Sequence, residues 1–264
     1  MSPNFTLSFD SLSRVDASAR FGFGSCPQYL TSISGPIEVR LAAEQPSQAT
    51  IEVHVRPLTN VPGTESKTVA VILKEVIQME VIVEANPRTL IQFVVQALVP
   101  TPKVTDELVA AMINCCTLSL LNAGSIPMRG VICAVSVARV SSVNGEESMY
   151  KIQPVEEHSS RIQATGCFAF LFSDSYSSNT YSSSCVWTSW RSLHPGSLKA
   201  VEESELARAR DAAQKPAREV WERMKSLVEE GERVKRKETW IKDASYSTEA
   251  KKIDMGEEDV NMEI

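Results

Sequence analysis

The run DELVAAMINCCTLSLLNA, from Asp106 to Ala123, decides how the rest of this chain is read. Its apolar residues, among them Leu108, Val109, Met112, Ile113, Leu118 and Leu120, fall on almost every side of a helix, which leaves little surface to give to water. Thr105 can cap the first turn, and Gly124 can end the helix with a positive φ. Such a helix must be buried deeply, so the flanking sequence has to supply the layers that bury it.

Toward the N-terminus those layers are legible. Thr89 to Val99 (TLIQFVVQALV) reads as a strand closed by Pro100 and Pro102. Before it, Thr64 is a candidate N-cap for a helix in which Val69, Ile72, Leu73 and Val76 share a face, and PLTNVPG (57–63) is a loop. From Thr50 to Arg56, Ile51, Val53 and Val55 alternate with Glu52, His54 and Arg56, the pattern of a half-buried strand. ARFGFG (19–24) and QYLTSI (28–33), split by Ser-Cys-Pro, suggest a hairpin, and another run, PIEVRL, starts at Pro36.

Toward the C-terminus, GVICAVSVARV (130–140) reads as a strand, and Asn144-Gly145 as a hairpin turn leading back through Met149 to Gln153. RIQATGCFAFLF (161–172) and Cys185 to Trp190 read as further strands around a solvated, Ser-rich loop at about 173–184. Beyond Pro195 a helix begins that Pro216 interrupts or kinks, with an apolar stripe at Val220, Met224, Leu227 and Val228 ending at Gly231. Trp221 and Trp240 read as packing or partner contacts. This order of elements predicts an α/β or α+β domain over 15–231, an N-terminal segment at 1–14 and a charged, mobile tail at 232–264.

Composition narrows the function. The chain has 264 residues, 43% of them hydrophobic, enough for a full core. No segment approaches the roughly 18 apolar residues of a membrane helix, and the start lacks an apolar leader, so the expectation is an intracellular protein with no membrane contact. The six cysteines form no CxxC pair and read as buried thiols. A net charge of −6 argues against a protein that binds nucleic acid by a basic face of its own. Residues 191–264 hold 15 of the 27 Lys and Arg and 17 of the 33 Asp and Glu, so the front of the chain is a sparsely charged core. His54, His158 and His194 lack metal-ligand spacing, His158 and Ser159 point to opposite faces of an extended segment, and there is no nucleophile elbow or phosphate loop. Glu156 and Glu157 read as a solvated turn. No metal or cofactor is expected.

Four blocks carry a resemblance: SGPIEVRL (34–41), ATIEVHVRPLTNVPGTESK (49–67), NPRTLIQFVVQAL (86–98) and LLNAGSIPMRGVICAVSVARV (120–140). Together they resemble the ribonuclease PH-like subunits of the eukaryotic RNA exosome, over about residues 15–230. The resemblance implies a fold of two βαβ-type halves, similar to ribosomal protein S5 domain 2. It also implies partners: other ribonuclease PH-like subunits in a six-membered ring, RNA-binding cap proteins, and RNA passing through the shared channel. Residence in the nucleus and nucleolus, with a cytoplasmic pool, follows from the same likeness.

In active relatives phosphate attacks the last phosphodiester bond of RNA, and a Gly-Ser-Arg or Gly-Thr-Arg at the start of the buried helix holds it. Here that region reads TDELVAA, with the motif lost near Glu107, Leu108 and Val109. Asp106 and Glu107 favour the helix by roughly 0.3 to 1 kcal/mol each but repel an anion. The positions of the family's acids are occupied by Ser159 and Thr165, neither able to serve as a carboxylate. The first helix, KTVAVILKEVIQME, carries only Lys67 and Lys74 where active relatives carry arginines. The resemblance thus implies a non-catalytic structural subunit, with Arg56 and Lys67, which flank the PLTNVPGTES loop, as candidate RNA contacts. The alternatives are a phosphate-dependent 3′-to-5′ exoribonuclease, or another nuclease, acting as a homodimer, and an RNA-binding scaffold outside the exosome.

Overall fold

A computed structural model describes residues 4–58, 61–100, 103–141, 149–152, 162–173, 182–193 and 203–258, with side chains as far as residue 233. The chain divides into two units, Met1–Met224 and Lys225–Ile264. Among the described residues the first holds two sheets. One has five strands in the order β1 (Phe5–Asp10), β2 (Ala17–Phe23), β3 (Tyr29–Glu38), β5 (Thr89–Ala97), β4 (Thr50–Arg56). The other has four, in the order β7 (Met149–Ile152), β6 (Val131–Val140), β8 (Ile162–Ser173), β9 (Ser182–Ser192). The parallel pair is β4 with β5, joined through helix α1 (Thr64–Glu80); the other pairs are antiparallel.

Helix α2 (Asp106–Ala123) lies between the sheets, against β2 and β3 on one side and β6 and β8 on the other, as its all-round apolar sequence requires. Several of its polar side chains bond the strand backbone around it. Ser119 Oγ donates to the Thr31 carbonyl (3.1 Å), Asn122 Nδ2 to the Ser18 carbonyl (3.0 Å) and Cys115 Sγ to the Ala19 carbonyl (3.3 Å).

The same logic explains two buried polar groups beside β6. Among the described residues β7 pairs with Val137 to Val140 of β6, and backbone groups earlier on that edge are bonded by side chains. Asn114 bonds Ala134 twice, donating from Nδ2 to its carbonyl (2.8 Å) and accepting its N–H on Oδ1 (2.7 Å). Glu80, at the end of α1, accepts the Ile132 N–H on Oε1 and the Thr117 hydroxyl on Oε2, each at 3.1 Å. Two side chains thus bond the β6 backbone at Ile132 and Ala134.

Helix α3 (Glu203–Glu258) runs through Pro216 without a break. Up to Met224 it buries Ala209, Ala213, Ala217, Val220 and Met224, and this packing holds the turn in which proline removes a backbone donor. Glu205 ties its start to the four-stranded sheet, pairing with Arg139 at 2.7 Å and accepting the Trp190 indole N–H at 3.2 Å.

Several expectations need correction. FTLSFD, read as a segment preceding the domain, is edge strand β1, paired with β2 from Phe5↔Phe23 to Asp10↔Ser18. PIEVRL does not start a new strand; Pro36 lies within β3, at a register shift between Ser34 and Ile37. Thr64 is the first residue of α1 rather than its cap, which is Gly63 with no side-chain bond. Helix α3 does not end at Gly231 but runs on to Glu258, through a segment rich in Lys and Glu. The Asn144-Gly145 turn lies outside the described residues, although β6 and β7 pair around it as expected. Among the described residues no helix is long and apolar enough to cross a membrane.

Burial pushes the Glu80 carboxyl up from 4.5 to about 8, against the pull of its two hydrogen bonds. The folded protein therefore holds a proton that the unfolded chain releases between these values, and stability falls as pH rises through that window. The slope from this group is on the order of 1.4 kcal/mol per pH unit. Glu80→Gln keeps an acceptor for Ile132 and removes the titration. Urea denaturation from pH 5 to 9 should show the variant gaining on the parent as pH rises; parallel profiles would contradict this assignment.

Candidate functional site

The N-termini of α1 and α2 and the last residues of β9 enclose a groove of about 310 Å³, lined among others by Thr64, Thr68, Thr105, Asp106 and Arg191. Thr105 caps α2, its side chain accepting the Leu108 N–H at 3.4 Å. That cap sets Asp106 at the positive end of the helix, 6% exposed, with its carboxylate against the second sheet. Its Oδ2 accepts the Thr165 hydroxyl at 3.0 Å and lies 3.1 Å from Arg191 Nη2.

Sheet register brings those two partners together, because Thr165 on β8 and Arg191 on β9 are direct cross-strand neighbours. Gly166 permits the approach: a Cβ there would overlap the carbonyl oxygen of Ser189. Burial raises the Asp106 pKa, while the Arg191 guanidinium and then the Thr165 hydroxyl pull it down without cancelling the shift. Arg191 keeps 55% of its side chain exposed, so solvent weakens the ion pair, and the shorter, drier bond to Thr165 is the tighter constraint. Chemically, the groove has an arginine and a helix N-terminus aimed at one place, and the chain's own carboxylate already occupies it.

Thr165, expected where active relatives place an acid, is a hydrogen-bond donor to Asp106. Ser159, with His158, Glu156 and Glu157, lies outside the described residues. Leu108 and Val109 are buried, with the core rather than the groove as the main environment of Leu108. Arg56 ends β4 and Lys67 lies in the first turn of α1, both exposed. Neither lines this groove. His54 sits 3.7 Å from Glu52, and among the described residues no group of three or more His, Cys, Asp or Glu side chains converges on a metal-sized site. Four of the six cysteines, Cys115, Cys116, Cys133 and Cys167, are buried thiols whose pKa burial drives upward.

Arg191 went unrecognised in the sequence. The available signal was indirect: it is the one arginine in the strand that follows the Thr165 strand, and only the register shows that it faces Thr165.

Residues 4–125, from the beginning of β1 to just past α2, match the family model described as 3′ exoribonuclease family, domain 1. The chain is similar to the crystal structure of Rrp46 from rice (Oryza sativa), with a TM-score of 0.69 at 18% identity, over 87% of this chain and 96% of that one. The fold is that of the ribonuclease PH family. The archaeal exosome core shares this ribonuclease PH fold with a TM-score of 0.60 at 15% identity, over 85% of this chain and 87% of that one. The exosome complex component rrp46 of Schizosaccharomyces pombe is 32% identical over 136 residues, which make up 52% of this chain. The match spans 58% of that relative's length.

The Thr165–Asp106 bond can be measured directly. Asp106→Ala and Thr165→Val should each cost about 1 to 3 kcal/mol in urea denaturation, with a double-mutant coupling near 1 kcal/mol. Asp106→Asn keeps the acceptor and should stay within about 1 kcal/mol of the parent. Additive single effects would mean that the two side chains are not bonded in solution.

Proposed function

We propose that this protein is a non-catalytic structural subunit of an RNA exosome core ring, supporting 3′-to-5′ RNA processing, rRNA maturation and RNA turnover carried out by associated nucleases. One observation carries the reading: Asp106 at the start of α2 engages Arg191 and Thr165, in the region where the resemblance implies that active relatives bind phosphate. An anion entering the groove meets a carboxylate instead of free N–H groups, and the side chain at the family's acid position is an alcohol engaged as a donor. The similarity to exosome proteins supports the ring setting.

On this reading the partners are other ribonuclease PH-like subunits in a six-membered ring, RNA-binding cap proteins and RNA in the shared channel. The setting is the nucleus and nucleolus, with a cytoplasmic pool. Ring membership reconciles a net charge of −6 with work on RNA, because neighbouring subunits can supply the basic lining. Arg56 and Lys67 are the proposed contacts from this chain, and reversing both charges should weaken RNA retention by the assembled ring, most at low salt.

The test incubates the chain, alone and with the other ring subunits, with 3′-labelled single-stranded RNA, with and without phosphate and magnesium, while size-exclusion chromatography follows assembly. The expected result is no release of nucleotides by the lone chain and entry into a ring of fixed stoichiometry. Phosphate-dependent release of nucleoside diphosphates by the chain alone would establish the alternative, an exoribonuclease.

A further inference from the structure

A second cavity, separate from the Asp106 groove, opens where the far ends of β8 and β9 meet α3, with a volume of about 400 Å³. That lies within the range of small-ligand pockets. Its apolar side is an aromatic pair, Phe172 and Trp221, stacked with centroids 5.5 Å apart and planes 17° from parallel. Its polar side is one face of α3, where Asp211, Gln214, Lys215 and Arg218 recur at helical spacing and all are exposed.

Each of these groups has bonding capacity left for a ligand. Lys215 has no hydrogen-bond or ion-pair partner among the described residues. Arg218 uses its Nε on Glu222, one turn along the exposed face, at 3.0 Å. Its terminal nitrogens are left for another acceptor. Gln214 Nε2 donates to Ser183 Oγ at 2.9 Å, which fixes the amide and turns Oε1 into an oriented acceptor. Asp211 is paired with Arg210 and Arg218 with Glu222, so the surplus positive charge is that of Lys215, and the cavity favours an anion. The aromatic pair favours a flat ring, and the amide favours a ligand that carries N–H groups.

We propose that this cavity is a nucleotide site, taking a base against Trp221, its amino group on Gln214 and its phosphate on Lys215 and Arg218. Base stacking on an aromatic side chain and charge-assisted bonds from Lys and Arg to phosphate are each sequence-tolerant contacts, so the ligand class is a nucleoside monophosphate, free or as a unit of single-stranded RNA. The inference is independent of the exosome reading, since it uses no residue of the Asp106 groove or of the Arg56 and Lys67 region.

The test titrates the full chain with AMP, adenosine, inorganic phosphate, hexa-adenylate and an acidic peptide, following tryptophan fluorescence and calorimetry. AMP should quench and bind at least about tenfold more tightly than adenosine or phosphate, since each of those keeps only part of the contacts. Lys215→Glu and Arg218→Glu, on an exposed helix face, should each weaken AMP by about tenfold with unchanged circular dichroism. Trp221→Phe keeps a ring on Phe172 and should abolish the quench. Tighter binding of hexa-adenylate than of AMP assigns the site to RNA, and the reverse order to a free nucleotide. Equal affinity for phosphate and AMP, preference for the acidic peptide, or indifference to the charge reversals would each overturn the proposal.

Discussion

A helix buried on every side must satisfy its polar side chains inside the protein, and α2 does so by bonding the strands that bury it. Asn114 on β6, Ser119 on β3 and Asn122 and Cys115 on β2 make the helix a connector between two sheets rather than an apolar filler. Each bond adds only about 1 kcal/mol net, but each would leave a costly buried orphan if the helix shifted, so together they fix its axial position. Glu80 belongs to the same system, reaching from α1 to Thr117 on α2 and Ile132 on β6.

Fixing α2 also fixes its N-terminus, and there the chain has made a choice with functional weight. The positive end of a buried helix attracts an anion from solvent or from the chain. Here Asp106 supplies it, and the cross-strand neighbours Thr165 and Arg191 hold the carboxylate in place. A site of this kind stabilises itself through the contacts that would otherwise attract phosphate. The fold alone therefore does not decide the activity.

What was legible in the sequence is what short-range patterns determine. The burial of α2, its Thr105 cap and its Gly124 exit follow from local periodicity and local backbone geometry. The acidic residues Asp106 and Glu107 at the start of α2 could be read from residue types alone. Strand β1 was missed because FTLSFD is short and gains its meaning only by pairing with β2. The continuation of β3 past Pro36 depends in the same way on its neighbour β5. The role of Glu80 was not legible, because its partners Thr117 and Ile132 are distant in sequence and meet it only in the fold. Arg191 was hidden for a similar reason, since its role rests on register with a strand twenty-six residues earlier.

The central claim is that Asp106 closes the helix N-terminus to external anions, and phosphate titration followed by amide chemical shifts tests it most directly. At constant ionic strength, the backbone amides of Glu107, Leu108 and Val109 should show no saturable shift in the parent protein up to tens of millimolar phosphate. A saturable shift at these amides, lost on charge neutralisation of Arg191, would mean that the site accepts phosphate with Asp106 in place and would contradict the account.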